Sequence, residues 1–234
     1  MADVRPWLRR VRRVLTRATH DAGLARHPWR TPGPVSRVFG LDRGTPIDRV
    51  YIEAFLAAHA ADIRGRVLEI GDDTYARRFG GGVTQVDVVH HGLGAPAGVT
   101  VADLADAPAL ASATYDCAIV TQTLQHLPDP RRAAATLARI LRPGGVALVS
   151  VPGISQISRF DADRWGDYWR FTTQALHEVL GREFAGGLDV TSCGSAWTAV
   201  AFLEGLAAED LGPGEIDWHD PDYEVVVLAR AVKA

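Results

Sequence analysis

The stretch Arg66-Val67-Leu68-Glu69-Ile70-Gly71-Asp72-Asp73 decides the fold, and two further acids, Asp87 and Asp103, each follow a later apolar run. A short aliphatic strand ending on an acid and a glycine opens a ligand site, because an open α/β sheet binds ligands beyond the carboxyl ends of its strands. Strand, acid, glycine and two later acids are the order in which such a sheet holds the sugar and base of a nucleoside. A dinucleotide is excluded: the second and third glycines of G-x-G-x-x-G are replaced by Asp73 and Ala76, so a pyrophosphate would meet side chains and negative charge. A Walker loop is excluded too, since no G-x-x-x-x-G-K-[ST] occurs and Lys233 is the sole lysine. A nucleoside without phosphates remains.

Downstream, Tyr115 to Val120 has the composition of a buried strand and runs into Thr121-Gln122-Thr123-Leu124-Gln125-His126-Leu127-Pro128-Asp129. Ala133 to Leu141 has helical spacing, Arg142-Pro143-Gly144-Gly145 is a turn, and Val146 to Val151 is a further strand. Together with Glu69-x-Gly71, Asp87 and Asp103, these strings resemble the class I S-adenosylmethionine (SAM)-dependent methyltransferases over roughly residues 48 to 234. The segments Val35 to Gly40, Arg43 to Arg49 and Trp165 to Thr172 resemble a bacterial branch often found beside glycosyltransferases. The resemblance implies a Rossmann-like α/β fold, a seven-stranded, mostly parallel sheet with helices on both faces. It also implies SAM as cofactor, held by Glu69, Gly71, Asp72, Asp87, Val88, Asp103, Leu104, Thr121 and Gln122. Asp87 takes the place of the acid that receives the ribose hydroxyls, and Asp103 that of the acid near the adenine amino group. The glycine loop departs from the family's E/D-x-G-x-G-x-G, placing Asp73 and Tyr75 where the methionine part of SAM usually crosses bare backbone.

A chain of 234 residues suffices for one α/β domain with additions. A net charge of −3 gives no global call for nucleic acid. Two cysteines, Cys117 and Cys193, make neither a disulfide framework nor a metal pattern, which suits a reducing cytoplasm. No apolar run reaches the roughly 18 residues of a membrane span, and no signal-peptide stretch opens the sequence.

Two regions divide the chain. In residues 1 to 34, Trp7, Leu8, Val11, Val14, Leu15 and Ala18 recur at helical spacing opposite Arg9, Arg10, Arg12, Arg13 and Arg17, predicting a basic amphipathic helix over about 4 to 19 before a proline-rich linker. Such a helix either packs on its own domain or docks a partner, a second copy or an anionic surface. Residues 35 to 234 then form the SAM-binding domain, interrupted at about 152 to 172 by a lid rich in Trp, Tyr and Asp.

The chemistry expected is methyl transfer to a small acceptor, a hydroxyl of a sugar-containing or secondary-metabolite molecule. His126 is a general base, since histidine titrates near neutrality, or else a packing or capping residue. Asp163, Asp167 and Tyr168 are the alternative catalytic groups, and Trp165, Tyr168, Trp169 and Arg170 the acceptor-binding ones, unless the aromatics merely anchor the loop. The spacing of Asp161, Asp163 and Asp167 matches no established metal loop, so no metal is expected. Two other readings use the same fold: a cyclase-like enzyme in which SAM is structural or absent, and a degenerate partner-binding protein.

Overall fold

Central strands of a parallel sheet are covered on both faces and therefore carry continuous apolar runs. Strand β1 (Gly65–Ile70) fits this rule, because Val67 and Leu68 point to opposite faces and both are fully buried. The structure is a computed structural model that describes residues 32–92 and 99–234. The predicted basic helix over 4 to 19 lies outside the described residues, as does most of the proline-rich linker.

The remaining strands are β2 (Val83–His90), β3 (Thr100–Val101), β4 (Tyr115–Thr121), β5 (Leu141–Pro152), β6 (Leu188–Cys193) and β7 (Val226–Val232). They form one seven-stranded sheet in the order β3-β2-β1-β4-β5-β7-β6, parallel throughout except for β7, which is antiparallel to both neighbours. The order reverses between β1 and β4, and such a switch point opens a crevice for ligand. The mostly parallel α/β sheet expected from the sequence is the observed one.

Helices cover both faces. On one, α3 (Pro130–Ile140) and α5 (Thr173–Leu180) pack Ala133, Leu137, Ile140, Leu176 and Leu180 against Leu68, Ala118, Val120, Val149 and Ala229. On the other, α1 (Ile47–Ala58), α2 (Thr74–Phe79) and α6 (Ala196–Leu203) pack Ile47, Tyr51, Leu56, Ala76, Ala199 and Phe202 against Val67, Cys117, Ile119 and Leu228. Cys117 is thus a core side chain, and burial pushes its thiol far above the usual range. No helix among the described residues is long and apolar enough to cross a membrane.

Boundaries differ from the sequence expectation, which reads Leu176 to Phe184 and Trp197 to Glu209 as helices and Arg142 to Gly145 as a turn. The helix predicted to start at Leu176 and run to Phe184 begins at Thr173, where the Thr172 hydroxyl caps the Ala175 N–H, and ends at Leu180. The helix predicted from Trp197 to Glu209 stops at Leu203, because Gly205 adopts a positive φ of 71° where a Cβ would meet the Ser36 carbonyl at 2.2 Å. The turn Arg142 to Gly145 lies within β5 as an excursion between Leu141, opposite Tyr115, and Val146, opposite Cys117.

Candidate active site

At the carboxyl edge of the sheet, Glu69 is almost fully buried yet charged by nature, so it must be paid for with hydrogen bonds. Its two oxygens accept the Tyr75 and Ala76 N–H groups at 2.9 and 2.8 Å, tying the start of α2 to the end of β1. Burial dominates and pushes this carboxyl up to about 7, with the two amides pulling the other way and Asp72 and Asp73 adding to the rise. Gly71 turns the chain at a φ of 94° with open space where a Cβ would stand, and its N–H is held by the Val89 carbonyl. The Asp72 carboxylate accepts the Thr74 N–H, while Asp73 pairs outward with Arg77. Tyr75 packs tilted against Phe79. The glycine-poor loop is therefore built from side-chain anchors.

Three hollows meet over this edge. The first, about 240 Å³, is lined by Ile70, Gly71, Val89, Ala102, Leu104 and Leu127, with His90, His91 and Trp165 at one side and Thr121, Gln122, Thr123, His126 and Asp161 at the other. Trp165 stands edge-on to His90 at 6.3 Å and tilted to His91 at 6.1 Å. The second, about 150 Å³, lies against residues 152–172 and is lined by Phe39, Asp48, Gln122, Gln125, His126, Pro152, Ser155, Gln156, Ser158, Asp161, Asp167 and Arg170. The third, about 430 Å³, includes Asp48, Arg49, Glu69, Asp72, Thr74, Tyr75, Arg78, Thr121 and Gln122. Gln122 lines all three. It adopts a left-handed φ of 46°, fixed by its N–H on the Ser150 carbonyl at 2.9 Å. Such conformations gather at functional sites.

His126 closes a short 3-10 turn (Leu124–His126) after β4 and borders the first two hollows. Its Nδ1 lies 2.7 Å from the Gly166 carbonyl, which can only accept, so Nδ1 carries the proton and Nε2 the lone pair. The Gln125 amide donates to Nε2 at 3.2 Å, and an Asp161 oxygen stands 4.0 Å away. With Nδ1 as the donor, Nε2 is the ring nitrogen turned toward a carboxylate, the position from which a histidine acts as a base.

Several predicted site residues fall elsewhere. Asp87 is not at a strand end: it pairs with Leu68 in mid-ladder, three residues before the end of β2. Its carboxylate is bonded by Arg66 at 2.8 Å and Gln85 at 2.6 Å; burial opposes its ionisation, but these bonds and one from Tyr115 outweigh burial and hold it below the usual range. Residues 90 and 91, both histidines, occupy the edge where the acid was expected. Val88 pairs with Glu69 in the same ladder and lines none of the three hollows. Asp103 is exposed, its carboxylate spent on the Ala105 N–H, while its neighbours Ala102 and Leu104 line the first hollow.

The residues of the expected lid are likewise redistributed. Trp165 faces the first hollow instead of the second. Tyr168 is 55% exposed and its backbone N–H binds the Gln125 carbonyl; Trp169 hangs its indole N–H on the Leu127 carbonyl at 2.9 Å. Both act as anchors. Asp163 is exposed at the end of the short helix α4 (Arg159–Ala162) and lines none of the three hollows. Asp167 and Arg170 do border the second hollow, locked to each other at 2.6 and 2.9 Å. Missed from the sequence were Asp48, Gln125, and Asp161 as the neighbour of His126. Only the place of Gln125 beside His126 hinted at any of them.

The sequence pattern of the family described as "Methyltransferase domain" matches residues 48–183, more than half of the chain, so the chain belongs to that family. A ubiquinone biosynthesis O-methyltransferase of Xanthomonas oryzae pv. oryzae is 30% identical over 146 residues, covering 55% of this chain. The chain spans only 57% of that relative's length. Among solved structures, an S-adenosylmethionine dependent methyltransferase from Mesorhizobium loti superposes with a TM-score of 0.52 at 19% identity, covering 80% of this chain and all of that one. The [4+2]-cyclase SpnF superposes with a TM-score of 0.50 at 20% identity over 96% of this chain and 95% of its own. At these identities the two structures establish a shared fold.

Proposed function

We propose that the chain binds SAM across the first and third hollows and transfers its methyl group to a hydroxyl of a small acceptor in the second. The observation that carries this reading is the junction: Gln122 borders all three hollows, and His126 and Asp161 border the first two. A donor and an acceptor lodged on either side would meet there.

The residues fit the cofactor. The apolar walls of Ile70, Val89, Ala102 and Leu104 suit an adenine, and Trp165 with the histidine pair suits a cover and hydrogen-bonding rim for adenine and ribose. Arg49, Thr74 and the open backbone at Gly71 suit the carboxylate of a methionine, and Asp72 its ammonium. SAM supplies an activated methyl on a positively charged sulfur. The chain supplies alignment, an orientation effect that can contribute several kcal/mol, and a base. His126 Nε2 would accept the proton of the acceptor hydroxyl, and the nearby Asp161 carboxylate would stabilise the imidazolium that results.

The test pairs calorimetry with S-adenosylhomocysteine (SAH) and a turnover assay that follows SAH release with candidate hydroxylated acceptors. Micromolar SAH binding together with acceptor-dependent SAH release is the expected result. Absence of SAH binding at millimolar concentration would overturn the proposal in favour of a degenerate partner-binding role. SAH binding without methyl transfer, but with rearrangement of an unsaturated substrate, would favour the cyclase-like alternative, for which the fold shared with SpnF gives a precedent.

A further inference from the structure

The charged groups lining the hollow under residues 152–172 are mostly hydrogen-bond acceptors. Asp48, Asp161 and Asp167 bring three carboxylates to it against the single guanidinium of Arg170. That guanidinium has nothing left to offer: Nε donates to the Ser155 carbonyl, Nη1 to Asp167 and the Trp169 carbonyl, and Nη2 to Asp167 and the Gln156 carbonyl. All five of its N–H groups are committed. The hydroxyls of Ser155 and Ser158 are spent as well, the first on the Gln156 carbonyl and the second on Asp161.

Acceptor atoms, by contrast, stand open. Asp48, in the first turn of α1, uses one oxygen on the Arg49 N–H at 2.8 Å, and the other has no hydrogen bond among the described residues. Asp161 accepts Ser158 Oγ on one oxygen at 2.6 Å, and the other has no hydrogen bond among the described residues. The most telling atom is Gln125 Oε1. Gln125 is 5% exposed, its amide nitrogen is engaged by Gln122 and His126, and its oxygen is buried with no partner among the described residues. An unmet buried acceptor costs about 1–3 kcal/mol, and Gln125 is one of the residues lining this hollow.

From this imbalance we infer that the acceptor is an amine-bearing polyol of the amino-sugar class, its ammonium held between Asp48 and Asp161 and a hydroxyl or N–H donated to Gln125 Oε1. Molecules bearing a carboxylate or phosphate at the same place would meet the like charge of Asp48 and Asp161. The inference rests on the reading of this hollow as the acceptor chamber. Burial, which pushes the Asp48 carboxyl up to about 6 against the pull of the Arg49 amide, leaves it mostly ionised at neutral pH and able to meet a cation.

The test is calorimetric titration of the protein with D-glucosamine, methyl α-D-glucoside and D-glucuronate at pH 7, with and without saturating SAH. Glucosamine should bind at least tenfold tighter than the glucoside, with glucuronate weakest, and the isosteric variants D48N and D161N should each cut that preference to about threefold or less. The inference is overturned if glucuronate binds as well as glucosamine, if glucosamine does not bind, or if the preference survives both substitutions. Because SAH binding is measured on the same samples, a failed cofactor site is distinguished from a misassigned acceptor class.

Discussion

Replacing Glu69 with glutamine should flatten the dependence of stability on pH between about 4.5 and 7, because this carboxyl rises from 4.5 to about 7 on folding, chiefly through burial. In that window the folded chain holds a proton that the unfolded chain has released, so stability contributed by Glu69 is complete below about pH 4.5 and is lost as pH climbs through about 7. At about 1.4 kcal/mol per pH unit, the rise corresponds to about 3 kcal/mol. Asp48 contributes in the same direction, so the comparison of parent with E69Q isolates Glu69. The substitution also leaves one of the Tyr75 and Ala76 N–H groups without an acceptor, a buried loss of about 1–3 kcal/mol at any pH. Urea denaturation followed by tryptophan fluorescence, at several values from pH 4.5 to 8 without cofactor, measures both effects. The parent should exceed the variant by about 1–3 kcal/mol near pH 4.5, and that difference should fall by about 3 kcal/mol by pH 8, closing or reversing sign. Parallel stability curves across that range would refute the reasoning and mean that the two amide bonds keep Glu69 ionised throughout.

Three further outcomes follow from the geometry. Asp87→Ala should leave SAH affinity within about threefold by calorimetry while lowering stability by about 1–3 kcal/mol, because its charge-assisted bonds run to Arg66 and Gln85; a loss of affinity of a hundredfold would restore it to the ribose. His126→Ala should slow turnover by about 10²- to 10⁴-fold with SAH affinity nearly intact, as expected for a base, and unchanged turnover would point to Asp161 or Asp48. Trp165→Ala should weaken SAH binding more than Trp169→Ala does, since Trp165 faces the first hollow and Trp169 anchors the lid through Leu127; equal effects would make both residues scaffold.

By itself the sequence determined the sheet and its covering. The aliphatic runs Val67-Leu68 and Ala118 to Val120 are dictated by burial on two faces, and period and composition report burial directly. The glycine turn at Gly71 and the turn at Arg142 to Gly145 were legible because backbone conformation restricts residue type locally. Only the tertiary structure decided which polar side chains share a site. Whether Asp87 or His90 reaches the edge of β2 depends on register against β1, and the Arg66 partner that claims Asp87 lies 21 residues away in sequence. Asp48 and Asp161 come from a helix before the first strand and from the lid, and they meet His126 and Gln125 only when the chain folds back over the carboxyl edge. A carboxylate's partners are set by distance in space, and nothing in its local sequence records them.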